Sequence, residues 1–163
     1  MKICSTKSSS GRQKTIGSSI VANRHEVELF SKVRFAAAHS FNEASLSPEE
    51  NWAKYGKCSK VHGHNFEAII GLRGKFDPQT GMLINFFDVE KVLQEMITDP
   101  LDYCHLEKEI AFFRGNIPTT ENIARYLFKN LENKFGPDVE LFRVEVFESF
   151  ELGAIYERNE HGQ

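Results

Sequence analysis

The chain has 163 residues, 40% of them hydrophobic, and a formal charge of −3. That length fits one domain with a real core, and no apolar run approaches the roughly 20 residues that a membrane-spanning helix needs. Three cysteines, Cys4, Cys58 and Cys104, are too few and too scattered for a disulfide framework and point to a reducing, cytoplasmic setting.

Residues 1–24 carry Lys2, Lys7, Arg12, Lys14 and Arg24 and no acid, a charge of +5 that leaves −8 on the remainder. Rich in serine and poor in large apolar side chains, this segment reads as a disordered basic arm; an organelle transit peptide has a similar composition. Residues 25–163 read as a single domain. Its acidity excludes a broad basic face for nucleic acid.

Glu26 to Phe41 reads as an extended segment that passes through Phe35-Ala36-Ala37-Ala38-His39. Ser47-Pro48-Glu49-Glu50 then starts a short helix to about Tyr55. Ser47 caps it, Pro48 suits the first turn, Glu50 completes a capping box and Gly56 ends it. The run Cys58-Ser59-Lys60-Val61-His62-Gly63-His64 leads into a second strand, Val61 to Gly74. Side chains alternate along a strand, so His62 and His64 share a face that Phe66, Ala68, Ile70 and Leu72 continue as apolar packing. Two imidazoles on one face make half of a zinc site, and His39 supplies a third ligand. Three histidines with an open fourth position describe a catalytic Zn2+ centre. Cys58 is placed to act as base or nucleophile on whatever the metal holds; as a fourth ligand it would instead close the site into a structural one. Lys57 and Lys60 flank it, favour its thiolate and offer positive charge to an anionic substrate.

Residues 76–81 read as a turn, and Met82 to Phe86 as a third strand in a hairpin with the second. Asp88 caps a helix with Val89, Val92, Leu93, Met96 and Ile97 on one stripe, and Asp99-Pro100 stops it. Residues 101–118 read as irregular. Thr119 or Thr120 starts another helix with Ile123, Ala124, Leu127, Phe128 and Leu131 inward. Strands over about 140–147 and 154–157 complete an α+β pattern, an antiparallel sheet with two helices packed on one face. Its open edges call for oligomerisation.

The chain resembles the 6-pyruvoyltetrahydropterin synthase and 6-carboxytetrahydropterin synthase family. The resemblance rests on Phe35 to His39, Cys58 with His62-Gly63-His64, Asp77 to Met82, Pro100-Leu101-Asp102, Pro118-Thr119-Thr120-Glu121-Asn122 and Val146-Phe147-Glu148. It spans roughly residues 28–157 in the family's order. It implies the tunnelling fold (T-fold), in which sheets of several subunits join into a barrel. It further implies a homohexamer, a dimer of trimers with active sites at subunit interfaces. The substrate implied is 7,8-dihydroneopterin triphosphate, bound to zinc through its side-chain hydroxyls. One branch of the family eliminates triphosphate to give 6-pyruvoyltetrahydropterin. The other gives 6-carboxy-5,6,7,8-tetrahydropterin, acetaldehyde and triphosphate, on the route to queuosine.

By the same resemblance Cys58 is the general base, Asp102 assists proton transfer, Glu148 binds the pterin's amino group and ring N–H, and Thr119, Thr120 and Glu121 frame the pterin. One departure stands out: the family's Leu-Asp-His reads Leu101-Asp102-Tyr103 here. Tyrosine, with an ordinary pKa near ~10, is a poor proton shuttle at neutral pH. His105, two residues on, is the candidate replacement. The three residues between Cys58 and His62 resemble the 6-carboxy branch, whereas the longer stretch from Ser47 to Cys58 resembles the 6-pyruvoyl branch. The spacing beside the base favours the 6-carboxy product. The alternatives are the 6-pyruvoyl reaction, a weakly active pterin-binding relative and an aldolase or epimerase acting on dephosphorylated dihydroneopterin.

Overall fold

The structure, a computed structural model, describes residues 26–158; the basic arm of residues 1–24 lies outside them. Strand β1 (Glu26–His39) pairs antiparallel with β2 (His62–Lys75) along its whole length, from Glu26 opposite Lys75 to His39 opposite His62. On the other side of β2 runs β4 (Val139–Phe147), followed by β5 (Gly153–Glu157), both pairings antiparallel. The two-residue β3 (Cys104–His105) adds to the outer edge of β1 in parallel, so the sheet is mixed, in the order β3-β1-β2-β4-β5.

The expected third strand at residues 82–86 does not form. Both edges of β2 are taken by β1 and β4, which leaves a hairpin partner no room. The Asp77 N–H instead bonds the Met82 carbonyl at 2.8 Å, closing the turn on itself. Asn85, not Asp88, caps α2 (Phe86–Leu93), accepting from the Phe87 N–H. Nor does Asp99-Pro100 end that helix. A wide π turn over Gln94–Thr98 carries it into α3 (Asp99–Leu101), with Asp99 still helical at φ −58°, ψ −43°. A widened turn gives the proline ring room where an α turn would clash. The segment read as irregular holds β3, the single-turn α4 (Leu106–Glu109) and a 3-10 turn at Ala111–Arg114.

Other local expectations hold. Helix α1 (Pro48–Tyr55) has the full Ser47/Glu50 capping box and ends at Gly56 with φ +56°. Helix α5 (Thr120–Leu131) is capped by Thr119 and buries Ile123, Ala124, Leu127, Phe128 and Leu131. These side chains and Val89, Leu93 and Ile97 pack on one face of the sheet, against Phe66, Ala68, Ile70, Leu72, Val144 and Val146. Each fully buried Val, Leu, Ile or Phe side chain among them contributes about 1.5–3 kcal/mol by leaving water. Among the described residues, the opposite face carries no helix. It carries Lys32 and Arg34, both paired to Glu67 at 2.9 and 2.7 Å, beside the apolar Phe30, Ile69 and Phe147. No helix among the described residues is long and apolar enough to cross a membrane.

Two consequences are testable. A side chain at Gly74 would collide with the Asp138 carbonyl oxygen and approach Leu83 to 2.9 Å. Gly74→Ala should therefore destabilise the chain by about 1–3 kcal/mol in urea unfolding, and an unchanged midpoint would contradict this packing. Cys104 is buried; burial and the neighbouring Glu109 carboxylate push its thiol up to about 11. A thiol protonated at pH 8 is a poor nucleophile. Iodoacetamide at that pH should leave Cys104 unmodified in the native chain and label it after unfolding, as read by peptide mass mapping.

Candidate functional site

Three histidines converge at one end of the β1–β2 ladder. His39 closes β1 and faces His62, the first residue of β2; His64 sits one pleat further on, opposite Ala37. The ring centroids are 4.5 Å apart for His39 and His62, and 5.1 Å apart for the other two pairs. One ligand nitrogen from each lies within 4.8 Å of the others. Phe66, wholly buried, packs edge-on beneath His39 and His64 at 5.6 and 5.4 Å. Gly63, between the two β2 histidines, lets β1 come close: a Cβ there would lie 3.2 Å from the Ala37 carbonyl oxygen.

The hydrogen bonds behind the rings orient them. The Pro118 carbonyl lies 2.7 Å from His39 Nδ1. A carbonyl oxygen only accepts, so Nδ1 carries the proton and Nε2 presents a lone pair. His39 Nε2 is buried and has no protein partner. Leaving such a nitrogen unpaired costs about 1–3 kcal/mol, a cost that a metal ion would remove. The Lys60 carbonyl, 2.8 Å from His62 Nδ1, orients that ring in the same way. Burial, with smaller contributions from His62 and His64, lowers the His39 pKa from its ordinary value against the opposing pull of Pro118 and Glu148. The neutral ring is the one that binds metal. By donor set, tautomer and the unpaired buried nitrogen, the three histidines fit a metal ion.

Cys58 is half-buried in a 3-10 turn over Gly56–Ser59. That turn is tied just beyond His39: the Phe41 N–H donates to the Cys58 carbonyl at 2.7 Å, and the Phe41 ring lies against His39 and His62. Lys57 is exposed, and Lys60 holds its ammonium 5.2 Å over the Trp52 ring. Glu148 lies in the turn just after β4, one residue beyond the strand that the sequence suggested. Its Oε2 accepts from Thr120 Oγ1 at 2.6 Å. Thr119 spends its hydroxyl on the Asn122 N–H, and Glu121 is exposed in the first turn of α5.

The structure thus gathers His39, His62, His64, Thr120 and Glu148, with Cys58 on the adjoining turn. Asp102 is directed elsewhere. Its Oδ1 accepts the Ala36 N–H at 2.7 Å, and it borders a cleft of about 750 Å³ with Lys32, Arg34, Tyr103 and Phe150. Tyr103 has φ +56° and is 90% exposed. His105 borders a shallow cleft of about 440 Å³ with His64, but its Nε2 is engaged by Glu107 at 2.9 Å. Three contributors escaped the sequence reading. The Pro118 carbonyl acts through backbone, which no side-chain pattern reveals; Ser40 and Glu107 carry no spacing signal.

The family described as 6-pyruvoyl tetrahydropterin synthase matches residues 28–159. The human 6-pyruvoyl tetrahydrobiopterin synthase is 36% identical over 128 residues, 77% of this chain and 88% of its own length. An Archaeoglobus fulgidus protein provisionally named 6-carboxy-5,6,7,8-tetrahydropterin synthase is 34% identical over 110 residues, 68% of this chain and 79% of its own. The structure of the Caenorhabditis elegans 6-pyruvoyl tetrahydropterin synthase superposes with a TM-score of 0.76 at 30% identity, covering 82% of this chain and 96% of that one. The fold is the tunnelling fold, and the chain belongs to the 6-pyruvoyl tetrahydropterin synthase family of pterin lyases.

Proposed function

We propose that the chain is a zinc-dependent lyase that converts 7,8-dihydroneopterin triphosphate to 6-carboxy-5,6,7,8-tetrahydropterin, acetaldehyde and triphosphate. The observation that carries the lyase reading is the unpaired, buried Nε2 of His39 facing His62 and His64, with Glu148 nearby. The three-residue spacing from Cys58 to His62 supports the 6-carboxy product. A second reading, elimination to 6-pyruvoyltetrahydropterin, is favoured by the likeness to the human and nematode proteins of that name.

In this reading His39, His62 and His64 hold Zn2+. When bound, the ion acts as a Lewis acid on the substrate's side-chain oxygens. The Glu148 carboxylate accepts from the pterin's amino group and ring N–H; the Thr120 hydroxyl, already donating to Oε2, fixes its orientation. Thr119 and Glu121 belong to the same helix start and frame the ring. Cys58 removes a proton from the substrate side chain. Lys57 and Lys60 offer charge to the triphosphate, which requires Lys60 to leave Trp52. Asp102 would act from a neighbouring subunit of a homohexamer. Its bond to the Ala36 N–H and its place in a cleft lined by none of the three histidines favour that arrangement. So do the strand-free outer edge of β1 over residues 26–35, among the described residues, and the exposed Phe150, Leu152 and Ile155.

Product analysis with 7,8-dihydroneopterin triphosphate separates the two readings: acetaldehyde in step with triphosphate is expected, and triphosphate without acetaldehyde would establish the second. Cys58→Ala should lose about 10²–10⁴-fold in kcat and keep its zinc; loss of the metal would instead make Cys58 a ligand. Glu148→Ala should raise KM at least about tenfold with zinc content unchanged, since a charge-assisted anchor contributes about 1.5–3 kcal/mol.

A further inference from the structure

Ser40, Asn42 and Glu107 take no part in the chemistry above, yet they form a continuous chain of hydrogen bonds beside it. Ser40 is 7% exposed and follows His39 directly. Its hydroxyl donates to Glu107 Oε1 at 2.5 Å and accepts from Asn42 Nδ2 at 2.9 Å. The same Asn42 amide donates to the Ser59 carbonyl at 2.9 Å, one residue beyond Cys58. At the other end His105 Nε2 shares Glu107 Oε1 at 2.9 Å, while Oε2 is buried without a partner. The His105 N–H is held in turn by Glu109 at 2.7 Å.

The polarity of this chain is fixed by its chemistry. A carboxylate only accepts, so Ser40 must donate to Glu107 and has its lone pairs left for Asn42. The bond to the carboxylate is charge-assisted, and each bond polarises the next. Short β3 gives β1 only two paired residues on this edge, Ala37 and Ala38, and His39 lies just beyond them. The side chains of Ser40 and Glu107 are what extend the bracing past the end of the ladder.

We infer that Glu107 is a positioning residue of the candidate metal centre: through Ser40 and Asn42 it fixes the end of β1 that carries His39 against the turn that carries Cys58. This rests on the metal reading above. His105 in this arrangement is a donor that secures Glu107.

Zn2+ affinity, measured on the full chain by competition with a chromophoric chelator, tests the assignment. Glu107→Ala and Ser40→Ala should each weaken binding by about tenfold or more, the usual effect of removing an outer-shell partner. Glu107→Gln should stay within about threefold of wild type, because its single carbonyl oxygen can take the place of Oε1 and keep both bonds. Should Glu107→Ala not fold, Ser40→Ala, which removes one oxygen, carries the comparison with Glu107→Gln. Wild-type affinity in folded Ser40→Ala, or equal losses in Glu107→Gln and Ser40→Ala, would overturn the positioning role alone. A wild-type chain that binds no Zn2+ would overturn the metal reading and this inference together.

Discussion

The register that sets His39 opposite His62 is the constraint on which the site depends. Side chains alternate along a strand, so a slip of one residue would send one of these rings to the other face of the sheet. Two things hold the register. The ladder runs unbroken over 14 residues of each strand. The same parity that gathers the histidines also buries Phe35 against Phe66 and places Ala68, Ile70 and Leu72 in the core. Slippage would expose that whole apolar row, so the packing of the core and the geometry of the candidate metal centre enforce one another.

A second constraint comes from the start of α5. Within three residues, the Pro118 carbonyl orients His39, the Thr119 hydroxyl caps the helix and the Thr120 hydroxyl holds Glu148. One helix terminus, itself fixed by the burial of Ile123, Leu127 and Leu131, therefore sets the position of a candidate metal ligand and of the candidate pterin anchor. This is preorganisation: neither side chain has to give up rotamer freedom when substrate arrives. It also places a buried nitrogen in the core without a protein partner, a cost that a bound ion would offset.

The two faces of the sheet divide the work. The helix face supplies the core and, at its end, the histidines. The other face mixes charge with apolar side chains: Glu67 lies between Lys32 and Arg34, Ile69 and Phe147 flank it, and Asp102 and Tyr103 border the cleft beside them. Asp102 thus opens on a different cleft from the one bordered by His64.

The sequence by itself determined the elements whose signal is local: the capping box of α1, the apolar stripe of α5, the strand parity that puts His62 and His64 together, and the family motifs. Each depends on residues a few positions apart, where period and capping chemistry are decisive. Only the tertiary structure decided the rest. Residues 82–86 look like a strand but find no free edge beside β2, and Pro100 looks like a stop but is absorbed by a wider turn. The proton on His39 is placed by a carbonyl 79 residues away, and the bond from Ser40 to Glu107 spans 67. Such contacts leave no trace in local pattern, because they arise from which surfaces the packed core brings together.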